Sequence, residues 1–142
     1  RYPIYPACRA VADKVCGICE RHGDRPSSRV KDLVDIIVFA LAETFSGDEL
    51  ASAVANEARV RGVSLGPSFA LPAEWGSGQA AQYAKLAEQA HLPKDVATMA
   101  GGLDLTKRFL DPVLDQKAQG LHWEAGEWVS QPVSSGSSIE RE

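Results

Sequence analysis

The chain has 142 residues, 44% of them hydrophobic and 24% charged, the make-up of one globular domain. Its net charge of −4 excludes a broadly basic nucleic-acid-binding surface but not a local basic patch. No apolar run approaches the ~20 residues of a membrane helix, and the opening Arg1-Tyr2-Pro3-Ile4-Tyr5-Pro6 lacks a signal peptide's apolar core.

Tyr2 to Pro6 is expected to be extended, because residues before proline are pushed from helical geometry. It has the look of the last strand of a sheet whose other strands are missing. A first helix is expected from about Ala7 to Arg21, ending at Gly23, with Val11, Val15, Ile18 and Cys19 as its buried stripe. Cys8, Cys16 and Cys19 are an odd set in a helical setting and read as reduced thiols of a cytoplasmic protein. Cys16, Cys19 and His22 have metal-like spacing, but no second pair with ligand spacing follows, so they read as packing and no metal site is assigned.

A second helix should begin at Ser27 or Ser28, either a good N-cap, and continue to about Glu43. Val30, Leu33, Val34, Ile36, Ile37, Val38, Phe39 and Leu41 go nearly all round it, which predicts a central helix with neighbours on most sides. Ser46-Gly47-Asp48-Glu49 is a capping box for a third helix running to about Arg61 and ended by Gly62. The segment from Gly66 to Gly78 reads as an irregular loop whose Phe69, Leu71 and Trp75 pack onto the bundle. A fourth helix is expected from about Gln79 to Ala90, with Tyr83, Leu86 and Ala87 inward. Pro93 opens a fifth, which carries Val96, Met99, Ala100, Leu103 and Phe109, is weakened at Gly101-Gly102 and stops before Pro112. Leu121 to Val129 is either a short hairpin or a coil laid on the surface. The Ser-rich stretch 130–142 has almost nothing to bury and is expected to be a disordered tail, leaving 1–129 as the ordered region.

Charges wedged into the apolar faces of the first two helices cost stability unless they are paired or used. On a wheel of about 100° per residue, Lys14 falls at the margin of the Val11/Ile18 stripe, flanked by the small Ala10 and Gly17. That leaves room for a ligand; it also suits a lysine that snorkels to water from the rim of the core. Asp32 falls inside the apolar arc of the second helix, and Asp35 on its polar side beside Lys31. Asp32 is either a favourable anion near the helix start or a partner of Lys14 across two packed helices. A buried pair of that kind is weak ground for stability and better ground for a site. Lys31 and Asp35 have the spacing of an ordinary surface pair. Arg21, Arg25 and Arg29 bracket a turn with two serines, a patch suited to phosphates if it is not simply a solvated turn.

At these residues the sequence resembles the AbiEii-type nucleotidyltransferases, the toxin components of type IV toxin–antitoxin and phage-abortive systems. The matching stretches are Ala10-Val11-Ala12-Asp13-Lys14, then Glu20-Arg21-His22-Gly23-Asp24-Arg25-Pro26, then Arg29-Val30-Lys31-Asp32-Leu33-Val34-Asp35-Ile36. Leu71-Pro72, Trp75, Tyr83 and Phe109-Leu110-Asp111-Pro112-Val113 resemble the C-terminal region of the actinobacterial branch. The resemblance runs from about Tyr2 to Trp128. It implies a mostly α helical bundle forming the C-terminal part of an α+β, DNA-polymerase-β-like transferase whose N-terminal sheet is largely missing here. Members transfer a nucleotide from an NTP, in some cases onto the 3′ end of tRNA, with Mg²⁺ held by carboxylates that follow a Gly-Ser motif. Carried onto this chain, the catalytic lysine is Lys14 and the aspartate Asp32 or Asp35, with Asp32 favoured because the wheel turns it inward. Arg21, Arg25, Arg29 and Lys31 then bind nucleotide phosphates. The only Gly-Ser steps, Gly76-Ser77 and Gly136-Ser137, lead into no acidic pair, so the Mg²⁺ ligands are absent from these residues. The chain accordingly reads as the C-terminal half of the enzyme, inactive by itself, with NTP, tRNA and a cognate antitoxin as the implied partners.

The alternative is a non-catalytic helical interaction module that holds an antitoxin or second subunit through a Trp75/Trp123/Trp128 surface. A small DNA-binding helical domain would need a recognition helix with exposed polar residues, and the second helix is too apolar for that.

Overall fold

The computed structural model describes residues 5–130. The sequence expectations for residues 2–4 and 131–142 lie outside these described residues. The fold is mainly helical: α1 (Pro6–Cys19), α2 (Val30–Ala42), α3 (Gly47–Arg61), α4 (Ser77–Gln89) and α5 (Met99–Leu114), with a short 3₁₀ turn at Lys94–Val96. Two-residue β1 (Phe45–Ser46) joins β2 (Leu121–Glu124) and β3 (Glu127–Ser130) in an antiparallel sheet of order β1-β2-β3.

Helix α1 begins at Pro6, whose missing N–H costs nothing in a first turn. It ends at Cys19, two residues earlier than the sequence predicts. Glu20 takes an extended conformation and Arg21 lies beyond the helix. Val11, Val15 and Ile18 are fully buried, and α1 packs against both α2 and α3.

Helix α2 starts at Val30 rather than at a serine. Ser27 acts one step earlier: its Oγ accepts from the Arg29 amide at 3.1 Å, forming a turn ahead of the helix. α2 packs on α1, α4 and α5, but it is not covered all round. Val38 and Leu41 remain 40% and 45% exposed, so one face stays at the surface.

The third helix follows the sequence reading closely. Ser46 Oγ accepts from the Glu49 amide at 3.2 Å, and Gly62 closes the helix at φ 70°, a left-handed position that glycine takes without strain. Ala97 and Thr98 separate the 3₁₀ turn from α5, whose own cap is Thr98 Oγ1 accepting from the Gly101 amide. Helix α5 does not stop at Pro112. It runs on to Leu114, and the buried Val113 rewards the continuation. Gly101-Gly102 sits in its first turn, where Gly102 lies against the Tyr83 ring and Ile37.

The segment 121–130 is a hairpin, not a surface coil, and Ser130 pairs with Leu121 as its last strand residue. Trp123 is 1% exposed; its indole donates to the Ala40 carbonyl at 2.7 Å. Phe45, Phe109, Trp123 and Trp128 form one aromatic cluster with centroid separations of 4.8–6.1 Å. The hairpin is thereby sealed over α2 and α5. Among the described residues no helix is long and apolar enough to cross a membrane.

Candidate functional site

The first two helices meet through their charges. Lys14 Nζ on α1 lies 3.0 Å from Asp35 Oδ2 and 3.5 Å from Asp32 Oδ1, both on α2. The three side chains are 21%, 23% and 14% exposed, at the rim of the core rather than inside it. Asp32 Oδ2 also meets Arg29 Nη1 at 3.3 Å, and Asp35 Oδ1 meets Lys31 Nζ at 2.8 Å. Each of the four carboxylate oxygens thus faces a cationic nitrogen. The choice between Asp32 and Asp35 does not arise geometrically: Lys14 engages both. Three cations against two carboxylates leave the cluster one net positive charge.

Partial burial pulls the Lys14 pKa down, but the hydrogen bond and charge of Asp35, with Asp32 behind them, outweigh it and hold the ammonium above its ordinary range. Burial likewise opposes ionisation of Asp35. Hydrogen bonds from Lys31 and Lys14 outweigh it and hold that carboxyl below its ordinary range. The lysine is therefore a fixed cation at neutral pH, clamped from two sides.

Of the two small residues expected to leave space beside Lys14, Ala10 and Gly17, the glycine leaves none. Gly17 is buried, and Arg29 and Asp32 fill the room over it. The carboxylates do not suit Mg²⁺ either, because a divalent ion would have to displace Lys14, Arg29 or Lys31 from every oxygen. Among the described residues no group of three or more His, Cys, Asp or Glu side chains is placed to hold a metal. Cys16 lies in the core, where burial pushes its thiol up to about 12.

The arginine turn is not a loose loop. His22 and Arg25 exchange two backbone hydrogen bonds at 3.1 and 3.2 Å around Gly23, which has φ 69°. Arg21 forks onto Glu74 at 2.7 and 3.2 Å and also donates to the Asp24 carbonyl. The Trp75 indole donates to the Ser27 carbonyl at 2.7 Å. The segment 66–76 therefore pins both ends of the turn. Between them opens a hollow of about 420 Å³ lined by His22, Arg25, Pro26, Ser27, Ser28 and Arg29.

Sequence reasoning missed the role of Glu74 and of Arg61, and it expected Trp75 to pack onto the bundle without naming its partner. Glu74 and Trp75 lie about fifty residues from their partners and carry no local signal. Arg61, 18% exposed, gathers Asp13, Glu20 and Glu57 and ties α1 to α3; only its i, i+4 spacing to Glu57 was available in the sequence. The tryptophans do not form the exposed surface expected of an interaction module. Trp123 is buried, Trp75 and Trp128 are half-buried, and each indole donates to a backbone carbonyl. A second, apolar hollow of about 590 Å³ between α4 and α5, lined by Leu71, Ala80, Ala84, Met99 and Leu103 among others, lies on other elements than the charged cluster.

No family model, curated protein or solved structure matches the chain.

Proposed function

We propose that these helices supply the lysine-and-aspartate half of an AbiEii-like nucleotidyltransferase site, in which a nucleotide passes from an NTP to an acceptor such as tRNA. The observation that carries this reading is Lys14 Nζ held between Asp32 and Asp35 across two helices. An ammonium fixed in place and kept protonated is suited to meet negative charge as it develops on a departing phosphate, with no reorganisation at that moment. Lys14 is the catalytic residue in this reading; Asp32 and Asp35 are positioning residues that fix its nitrogen. Arg29 and Lys31, on the outer oxygens of the same carboxylates, add the charge that leaves the cluster net positive. The Mg²⁺ such transferases use would need carboxylates other than these two. An antitoxin would be the partner of the whole enzyme, and its compartment the cytoplasm.

The test is incorporation of labelled NTPs into total tRNA by the protein expressed from its complete gene, beside Lys14→Ala and Lys14→Arg, with thermal unfolding followed in parallel. Label that disappears in a Lys14 variant that remains folded at the assay temperature supports the reading. No label from the unsubstituted protein with any NTP, or label indifferent to both substitutions, overturns it. The 142-residue chain by itself is expected to incorporate nothing; reproducible incorporation would show that its site is not a half-site.

A further inference from the structure

The charges around the arginine turn are not equally free. Arg21 is forked onto Glu74, and Arg29 is shared with Asp32. Arg25 has no carboxylate partner among the described residues, and it lines the hollow of about 420 Å³ at the start of α2. Asp24, its neighbour in sequence, does not line that hollow. Among the described residues Arg25 is the guanidinium of the hollow that no carboxylate meets, and one such group balances one negative charge. The triphosphate of a nucleotide carries several, and a phosphodiester carries one. The remaining lining is mixed: His22, Pro26, Ser27 and Ser28 are residue types that a sugar or an unstacked base can pack against or hydrogen-bond. Two anchors from segment 66–76 hold the turn before anything binds, so little ordering is needed on binding.

The geometry points to this hollow as a subsite for one phosphodiester of a single-stranded nucleic acid, with Arg25 as its anion-binding residue, separate from the place of the triphosphate at Lys14. It rests on the transferase reading for the strand's role as acceptor, but not for the binding itself. The net charge of −4 restricts a polyanion to a narrow contact of this sort, because the negative balance of the chain repels the strand elsewhere.

The experiment is fluorescence anisotropy of the 142-residue chain with a labelled short single-stranded RNA, and with the DNA of the same sequence, across a salt series. Arg25→Gln is compared with Arg108→Gln, which removes an exposed cation from α5 and controls for net charge. Arg25→Gln is expected to weaken binding several-fold and to reduce the slope of log K against log salt concentration by about 0.7, one phosphate's share. Arg108→Gln should change neither. Loss in the RNA arm alone would identify the 2′-hydroxyl as part of the recognition, and loss in both arms the phosphodiester alone; either supports the subsite. Absence of binding to both strands, or equal effects of the two substitutions, overturns it. No step of catalysis enters this readout, so it can fail while Lys14-dependent incorporation stands, and stand while incorporation fails.

Discussion

The guanidinium of Arg29 occupies the space that a side chain at position 17 would need. A Cβ built on Gly17 would lie 3.0 Å from Arg29 Nη1 and 3.1 Å from Asp32 Oδ2. The bare backbone of α1 there lets the first turn of α2 close down and brings Asp32 within reach of Lys14.

Gly17→Ala should separate fold from site. Alanine gains up to about 1 kcal/mol of helix propensity over glycine, which offsets the crowding of Arg29, a side chain 54% exposed and free to move. Urea denaturation is expected to give a stability within about 1 kcal/mol of the unsubstituted chain. Lys14-dependent incorporation should nevertheless fall, because Asp32 is the inflexible neighbour and must give way. Full activity in Gly17→Ala would show that the Lys14–Asp32 contact is not needed.

The ion cluster predicts a pH profile. Asp35 has its pKa depressed below the ordinary 3.8, so its stabilising contribution is complete above that value and is lost as pH falls through the lower, folded one. Lys14 is raised above 10.5; its contribution is complete below that and is lost as pH rises through the higher value. Thermal midpoints of Asp35→Asn should therefore lie below those of the unsubstituted chain at neutral pH, and the two should converge in acid below pH 3.8. Curves that stay parallel from neutral pH into acid would refute this.

Gly102 is a packing requirement. A Cβ there would come within 2.6 Å of Tyr83 Cζ and 2.7 Å of Ile37 Cδ1, and Tyr83 is held by its hydroxyl donating to the Val96 carbonyl. Gly102→Ala should cost about 1–3 kcal/mol by overpacking, measured by chemical denaturation. Gly78→Ala, where a Cβ meets nothing within 4 Å, should be neutral or slightly stabilising and serves as the control.

The thiols should be quiet in the folded chain. Burial pushes Cys16 up to about 12 and Cys8 and Cys19 to about 11, so little thiolate exists at neutral pH. Titration with a disulfide reagent should be slow natively, with the partly exposed Cys19 first, and should reach all three cysteines in denaturant. A native thiol that reacts at the rate of free cysteine would contradict this packing.

What the sequence made legible was local. Ser46 with Glu49, and Gly62 after Arg61, announce their helix ends because the partners lie within a turn of one another. Lys14 was legible as a charge at the edge of an apolar stripe. Asp35 was placed on the polar side beside Lys31, and the two do pair; its second contact, with Lys14, is not given by a wheel, which shows the faces of one helix and not where the next helix's long side chain will reach. Pro112 misled for a related reason. A missing N–H weighs against helix locally, but Val113 beyond it has a core to enter. Glu74 and Trp75, which rigidify the arginine turn, have no signature near their partners.

The Trp123 indole reaches back 83 residues to the carbonyl of Ala40. On the ribosome, α2 and β1 emerge well before the hairpin, yet that carbonyl and the rings of Phe45 and Phe109 stay open to water until the hairpin has been made. At about 5–20 residues per second, the nascent chain waits for several seconds with its aromatic cluster unsealed. Completion of the fold is thereby deferred until Leu121–Ser130 has been made, and a product cut short before Leu121 would present those rings to chaperones or to other copies of itself.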